Sequence, residues 1–136
     1  MISGSKHRPP EGLFVRELMR DLLEWYKENK AKLHPVELAA VFHHKFTYIH
    51  PFVDGNGRVA RLLMNLILMK NGYPPAVIKV EDRLEYLEAL EKASVKGNLK
   101  DFIDFIAGQV EKSLDEYIKI LGLQREIPER MNGLEA

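Results

Sequence analysis

His50-Pro51-Phe52-Val53-Asp54-Gly55-Asn56-Gly57-Arg58-Val59-Ala60-Arg61 reads as a short loop feeding directly into a helix. Pro51 fixes its own φ and pushes His50 away from helical angles, so a preceding helix is expected to stop near His50. Asp54-Gly55-Asn56-Gly57 is turn chemistry: the glycines and the asparagine tolerate positive φ and let the backbone approach a ligand closely. From about Gly57 the pattern turns apolar and helical, with Val59, Leu62, Leu63, Leu66 and Ile67.

A glycine-rich loop that opens a helix is a candidate anion site. The first-turn N–H groups lack intrahelical partners, and the positive end of the helix dipole favours negative charge. Successive amides around Gly55 and Gly57 can form a concave nest for phosphate oxygens. Arg58 and Arg61 are three residues apart and therefore neighbours on one helix face. Asn65 falls on the same side, since at ~100° per residue positions 58, 61 and 65 lie within about 60° of each other. Two guanidiniums beside such a nest suit a polyphosphate. Asp54 is a hard oxygen ligand at its mouth, where a phosphate-bound Mg²⁺ would sit. His50 is the nearby group whose ordinary pKa lets it take a proton near neutral pH. A plainer reading stands beside this one: Asp54 or Asn56 caps the helix, the glycines turn the chain, and the arginines are solvated.

The same twelve residues, HPFVDGNGRVAR, resemble the signature of Fic-domain proteins: HPF, any residue, Asp or Glu, GNGR, two residues, Arg. Flanking segments are similar too, with AAVFHHKFTYI before the motif, GYPP after it and EYLEALEKA beyond, so that the likeness covers nearly all of the chain. The resemblance implies an all-α, bundle-like Fic fold with a small extended flap near the N-terminus. It also implies transfer of AMP from ATP to a Ser, Thr or Tyr hydroxyl of a target protein, with the chain itself as one candidate target. In that scheme His50 is the base and Asp54 holds Mg²⁺. Gly55, Asn56 and Gly57 donate to phosphate oxygens, Arg58 pairs with the β/γ-phosphates, and Arg61 contacts the γ-phosphate. Tyr86 is implied to stack on the nucleobase, against the reading of an ordinary packed tyrosine with its hydroxyl in water. Ile2, Ser3 and Lys6 are implied to lie on the flap, along which a target peptide can add as a strand.

Regulated members of that family carry an inhibitory segment, Ser or Thr, three residues, Glu, then Gly or Asn, whose glutamate captures the position of Arg61. Ser113 is followed by a glutamate three positions later rather than four, and Ser94 leads to Asn98, so neither fits. The chain starts too late for an upstream inhibitory helix, and the expectation is an active, unrestrained core whose full-length parent carries the brake. Alternatives remain within and outside the scaffold. De-AMPylation needs a glutamate to place water, and a phosphotransferase variant with inverted nucleotide use departs from GNGR. A non-catalytic nucleotide- or peptide-binding module needs neither His50 nor Asp54.

Composition narrows the field. The 136 residues fit one domain. Lysine plus arginine and aspartate plus glutamate number 20 each, which argues against general nucleic-acid binding. With no cysteine there is no disulfide framework, thiol nucleophile or thiolate zinc site. The first ten residues have no apolar core of signal-peptide length, and no run approaches a membrane span, so a cytoplasmic location is the default. A homodimer is left open.

Composition and periodicity divide the chain into an extended segment over residues 1–12, which the resemblance implies is the flap, a helical core over 13–122 and a polar tail or linker over 123–136. Helices are expected over Leu13–Lys30, from Leu33-His34-Pro35 to His50, from Gly57 to about Met69, over Glu81–Lys96 and over Leu99–Leu121. The helix from Gly57 is apolar nearly all round and is expected at the centre of the bundle. Leu84, Leu87, Leu90 and Ala93 are expected inward on the fourth. Phe102, Phe105 or Ile106, Val110, Leu114 and Tyr117 or Ile118 form the stripe of the fifth, and Gly108 marks a close helix approach. Ala76–Val80 is too short to decide between strand and connector. His43 and His44 point to different faces without an i, i+4 partner, which reads as hydrogen-bonded structural histidines rather than a metal site.

Overall fold

The computed structural model describes residues 12–122. Five helices follow one another: α1 Gly12–Asn29, α2 Pro35–Ile49, α3 Asn56–Lys70, α4 Arg83–Lys96 and α5 Lys100–Leu121, with a 3₁₀ turn Val80–Asp82 leading into α4. Among the described residues there is no strand: residues 76–79 form a connector, and Val80 opens the 3₁₀ turn. The expected all-α bundle is the observed one. Ile2, Ser3 and Lys6, and the tail over 123–136, lie outside the described residues.

The helix ends follow local chemistry. Pro35 occupies the first turn of α2, and the ring of His34 accepts the Val36 N–H at 3.1 Å as its cap. Gly97 and Gly122 close α4 and α5 in the left-handed conformation, where a Cβ would be strained. At the end of α3, Asn71 donates its side-chain amide to the Ile67 carbonyl at 2.7 Å, and Pro74-Pro75 prevents the helix from resuming.

The central helix is α2, not α3. Val36, Leu38, Ala39, Ala40, Val41, Phe42, His43, His44, Phe46 and Ile49 are all buried, and α2 packs on α1, α3, α4 and α5. Full burial of a Leu38 or Phe46 side chain contributes about 1.5–3 kcal/mol each. Its most extensive contact is with α3, which buries Ala60, Met64, Ile67 and Leu68. The opposite face of α3 carries Leu62, Leu66 and Met69, which are 52–58% exposed. The expectation of a central α3 rests on its being apolar nearly all round, but α2 is the one helix it packs on among the described residues. On α4 the buried residues are Tyr86, Ala89, Leu90 and Ala93, while Leu84 is 69% exposed. Leu90 and Ala93 are thus inward as expected and Leu87 packs half-buried against the core, whereas Leu84 gives way to Tyr86, which packs against Phe102 and Phe105 of α5. On α5, Phe102, Phe105, Ile106 and Val110 are buried as expected, whereas Leu114 and Tyr117 are exposed and Ile118, the alternative to Tyr117, is half-buried. Gly108 marks no close approach: a Cβ there would meet nothing within 4 Å.

The connector after α3 is tied down by side chains. The Asn65 side-chain oxygen accepts the Ala76 N–H at 3.0 Å, and the Ser113 hydroxyl donates to the Pro75 carbonyl at 2.7 Å. Asn65 therefore serves the fold instead of extending the arginine stripe. These bonds route the chain from α3 back to α4, and so set Tyr86 opposite Arg61.

Candidate active site at the α2–α3 loop

The loop joins the two most closely packed helices. α2 ends at Ile49, and His50 is its cap, with φ 54° and ψ 60° and its N–H donating to the Phe46 carbonyl at 3.1 Å. His50 is the one non-glycine residue with positive φ among those described. A side chain with a Cβ is disfavoured there, the more so before a proline. Such backbone strain concentrates at functional positions, where the surroundings hold it in place.

Asn56 clamps the loop. Its side-chain oxygen accepts the Phe52 N–H at 2.9 Å and its amide donates to the Phe52 carbonyl at 2.8 Å, with the residue 4% exposed. The expected donor role toward an anion therefore passes to its backbone N–H, since the side chain is engaged within the loop. Gly55, at φ 77°, is the N-cap of α3, and no side chain caps this helix. Val59 donates to the Gly55 carbonyl, so the amides of Asn56, Gly57 and Arg58 precede the first intrahelical bond. The capping reading of Asp54 and Asn56 is thereby removed.

Both guanidiniums fold back over this open end. A Cβ on Gly55 would stand 2.9 Å from an Arg58 terminal nitrogen, and one on Gly57 would stand 3.1 Å from Nη1 of Arg61. The two glycines are thus the floor on which the two arginines lie. Arg58 is exposed and Arg61 half-buried, and neither makes an ion pair among the described residues. Asp54 is exposed at the loop mouth. Two positive charges beside three amides at a helix N-terminus have the chemistry to attract an anion, and Asp54, in the same loop, is a hard oxygen donor.

Tyr86 does not present a face for a base. It is 4% exposed, packed against Phe102, Phe105 and His43. Its hydroxyl lies 2.8 Å from Nε2 of His43 and 3.5 Å from Nη1 of Arg61, whose guanidinium carbon is 5.9 Å from the ring centroid. Burial raises the Tyr86 pKa, with Arg61 opposing. His43 is fully buried, and burial, then the charge of Arg61, then His44, lowers its pKa to about 3. Both histidines are structural, as expected: His44 pairs with Ser94 at 3.2 Å. What spacing alone did not reveal is that His43 on α2 reaches Arg61 on α3 through Tyr86 on α4.

The Fic/DOC family pattern matches residues 1–68 of the 136. The chain belongs to the Fic/DOC family. Among curated proteins it is 44% identical over 115 residues to a protein adenylyltransferase Fic of Nematostella vectensis, covering 84% of this chain and 27% of that protein. It is 42% identical over 106 residues to protein adenylyltransferase fic-1 of Caenorhabditis elegans, covering 77% and 21%. The chain thus spans about a quarter of the length of these relatives. Among solved structures, Fic-1 from C. elegans superposes with a TM-score of 0.77 at 40% identity, covering 85% of this chain and 34% of that one. A Fic domain containing signaling protein from Bacteroides thetaiotaomicron gives a TM-score of 0.80 at 33% identity, covering 88% and 51%.

Within the Fic scaffold the donor set at the loop fits Mg²⁺ in one way only. No group of three or more His, Asp or Glu side chains among the described residues converges on a cation position. Mg²⁺ is commonly held by one or two carboxylates plus substrate phosphates, and the single exposed Asp54 suits that arrangement. No helix among the described residues is long and apolar enough to cross a membrane.

Proposed function

We propose that this Fic chain transfers AMP from ATP to a hydroxyl of a protein side chain. The observation that carries the reading is the uncapped start of α3 with Arg58 and Arg61 folded over Gly55 and Gly57. The names of the relatives, protein adenylyltransferases, support the same reaction class.

In this reaction the hydroxyl oxygen of a Ser, Thr or Tyr attacks the α-phosphorus. A phosphate ester bond forms, the bond from the α-phosphorus to the bridging oxygen breaks, and pyrophosphate leaves. His50 takes the hydroxyl proton; it is the one imidazole on the loop, since His43 and His44 are engaged inside the core. The amides of Asn56, Gly57 and Arg58 face phosphate oxygens, and Arg58 and Arg61 neutralise the β- and γ-phosphates. Bound Mg²⁺, held by Asp54, would supply further charge neutralisation at the leaving pyrophosphate. Asn56 keeps the loop in register through its two bonds to Phe52.

We also propose that this chain acts without an inhibitory glutamate of its own, since neither serine-led segment fits that signature and Arg61 lies against Tyr86. Incubation of the chain with α-labelled ATP, Mg²⁺ and a lysate, followed by mass spectrometry, tests both readings. AMP on a target or on the chain itself, lost in His50→Ala and reduced in Arg61→Ala, is the expected result. Nucleotide binding without any adduct overturns the transferase reading in favour of a binding module.

A further inference from the structure

We propose that Tyr86 and His43 are positioning residues that hold the Arg61 guanidinium over the glycine loop. The inference rests on the reading of Arg61 as a phosphate ligand.

The argument is one of donor accounting. An arginine only donates hydrogen bonds, and a tyrosine hydroxyl has one proton to give. The Tyr86 oxygen sits between Nη1 of Arg61 at 3.5 Å and Nε2 of His43 at 2.8 Å. Arg61 cannot accept, so of the two groups facing this oxygen only a bare Nε2 of His43 can take its proton, and that is the one pairing that leaves no hydroxyl proton unmatched between them. Nε2 of His43 is then the bare nitrogen, and Nδ1 carries the hydrogen. Nδ1 is buried without a partner among the described residues, so nothing else dictates the tautomer. Burial and the neighbouring Arg61 charge keep the ring neutral through the physiological range, with a pKa of about 3. His43 is therefore a permanent acceptor, and Tyr86 is permanently oriented with its oxygen toward Arg61.

The geometry supports a directed contact. His43 sits edge-on to Tyr86 with ring centroids 5.6 Å apart at 84°, and its other side packs on Phe102 at 5.0 Å. Three helices thus fix the hydroxyl. Arg61 would otherwise be a long, rotatable side chain, and ordering it before the nucleotide arrives lowers the entropic cost of binding. Gly57 leaves the guanidinium room beneath it.

The test is a double-mutant cycle on the full chain with ATP affinity as readout, measured in the presence of Mg²⁺ by calorimetric titration. Tyr86→Phe keeps the packed ring and removes the hydroxyl. It is expected to weaken ATP binding about fivefold, the scale of one modest hydrogen bond, and by less than about twofold in an Arg61→Ala background. Equal factors in both backgrounds, or no effect in either, make the Tyr86–His43 pair structural and overturn the proposal. If Arg61→Ala itself leaves ATP binding unchanged, the phosphate-ligand reading fails, and this inference falls with it. If Arg61→Ala weakens binding while Tyr86→Phe does not, only the inference falls. A second measurement needs no variant: nitrogen NMR of the histidine rings in the wild-type chain should show His43 neutral with hydrogen on Nδ1 from pH 5 to 8. Hydrogen on Nε2 overturns the proposal.

Discussion

Glycine at position 50 is expected to leave the protein more stable than alanine there, with the chemistry abolished in both variants. His50 holds φ 54° and ψ 60° immediately before Pro51. An L-residue in this region costs about 1–2 kcal/mol relative to its preferred conformation, and the proline ring crowds the preceding Cβ further. Glycine escapes both terms but loses about 0.5–1 kcal/mol through its greater freedom in the unfolded chain. Both variants delete the imidazole, so side-chain contacts cancel in the comparison. The net expectation is that His50→Gly exceeds His50→Ala by about 1 kcal/mol. Urea denaturation at neutral pH should place its midpoint about 0.5–1 M higher with unchanged slope. AMP transfer should be absent in both. An alanine variant as stable as the glycine variant, or more so, would show that the left-handed geometry stores no strain and would refute the reasoning.

Further outcomes follow from the same structure. Burial lowers the His43 pKa from 6.5 to about 3, so the unfolded chain takes up the proton first. The stability it supports is complete above pH 6.5 and is lost as pH falls toward 3, at about 1.4 kcal/mol per pH unit. Between pH 7 and 5, wild type should lose about 2 kcal/mol more than His43→Phe in chemical denaturation; parallel losses would contradict this. Gly55→Ala forces a Cβ to φ 77° and to 2.9 Å from Arg58, so it should cost about 1 kcal/mol in stability and weaken ATP binding by titration. Gly108→Ala fills open space within α5 and should raise stability by up to about 1 kcal/mol with AMP transfer unchanged, read by urea denaturation and a labelled-ATP assay.

Local chemistry alone determined a good deal of this protein. Proline at positions 35 and 51, and glycine or asparagine at 55, 71, 97 and 122, set where helices begin and end, because they act on the backbone of their own residue and its neighbours. The loop from His50 to Arg61 was legible for the same reason: its glycines, charges and helix N-terminus interact at short sequence separation. Tertiary packing decided the rest. Apolar periodicity reports how oily a helix is, not how many neighbours it meets, so α2 rather than α3 became the centre, and Leu62, Leu66 and Met69 were left exposed. On α4 the burial of Tyr86 in place of Leu84 depended on the aromatic side chains of α5. The Arg61–Tyr86–His43 chain joins residues 25 and 43 positions apart, and only the folded geometry brings such groups within hydrogen-bond range.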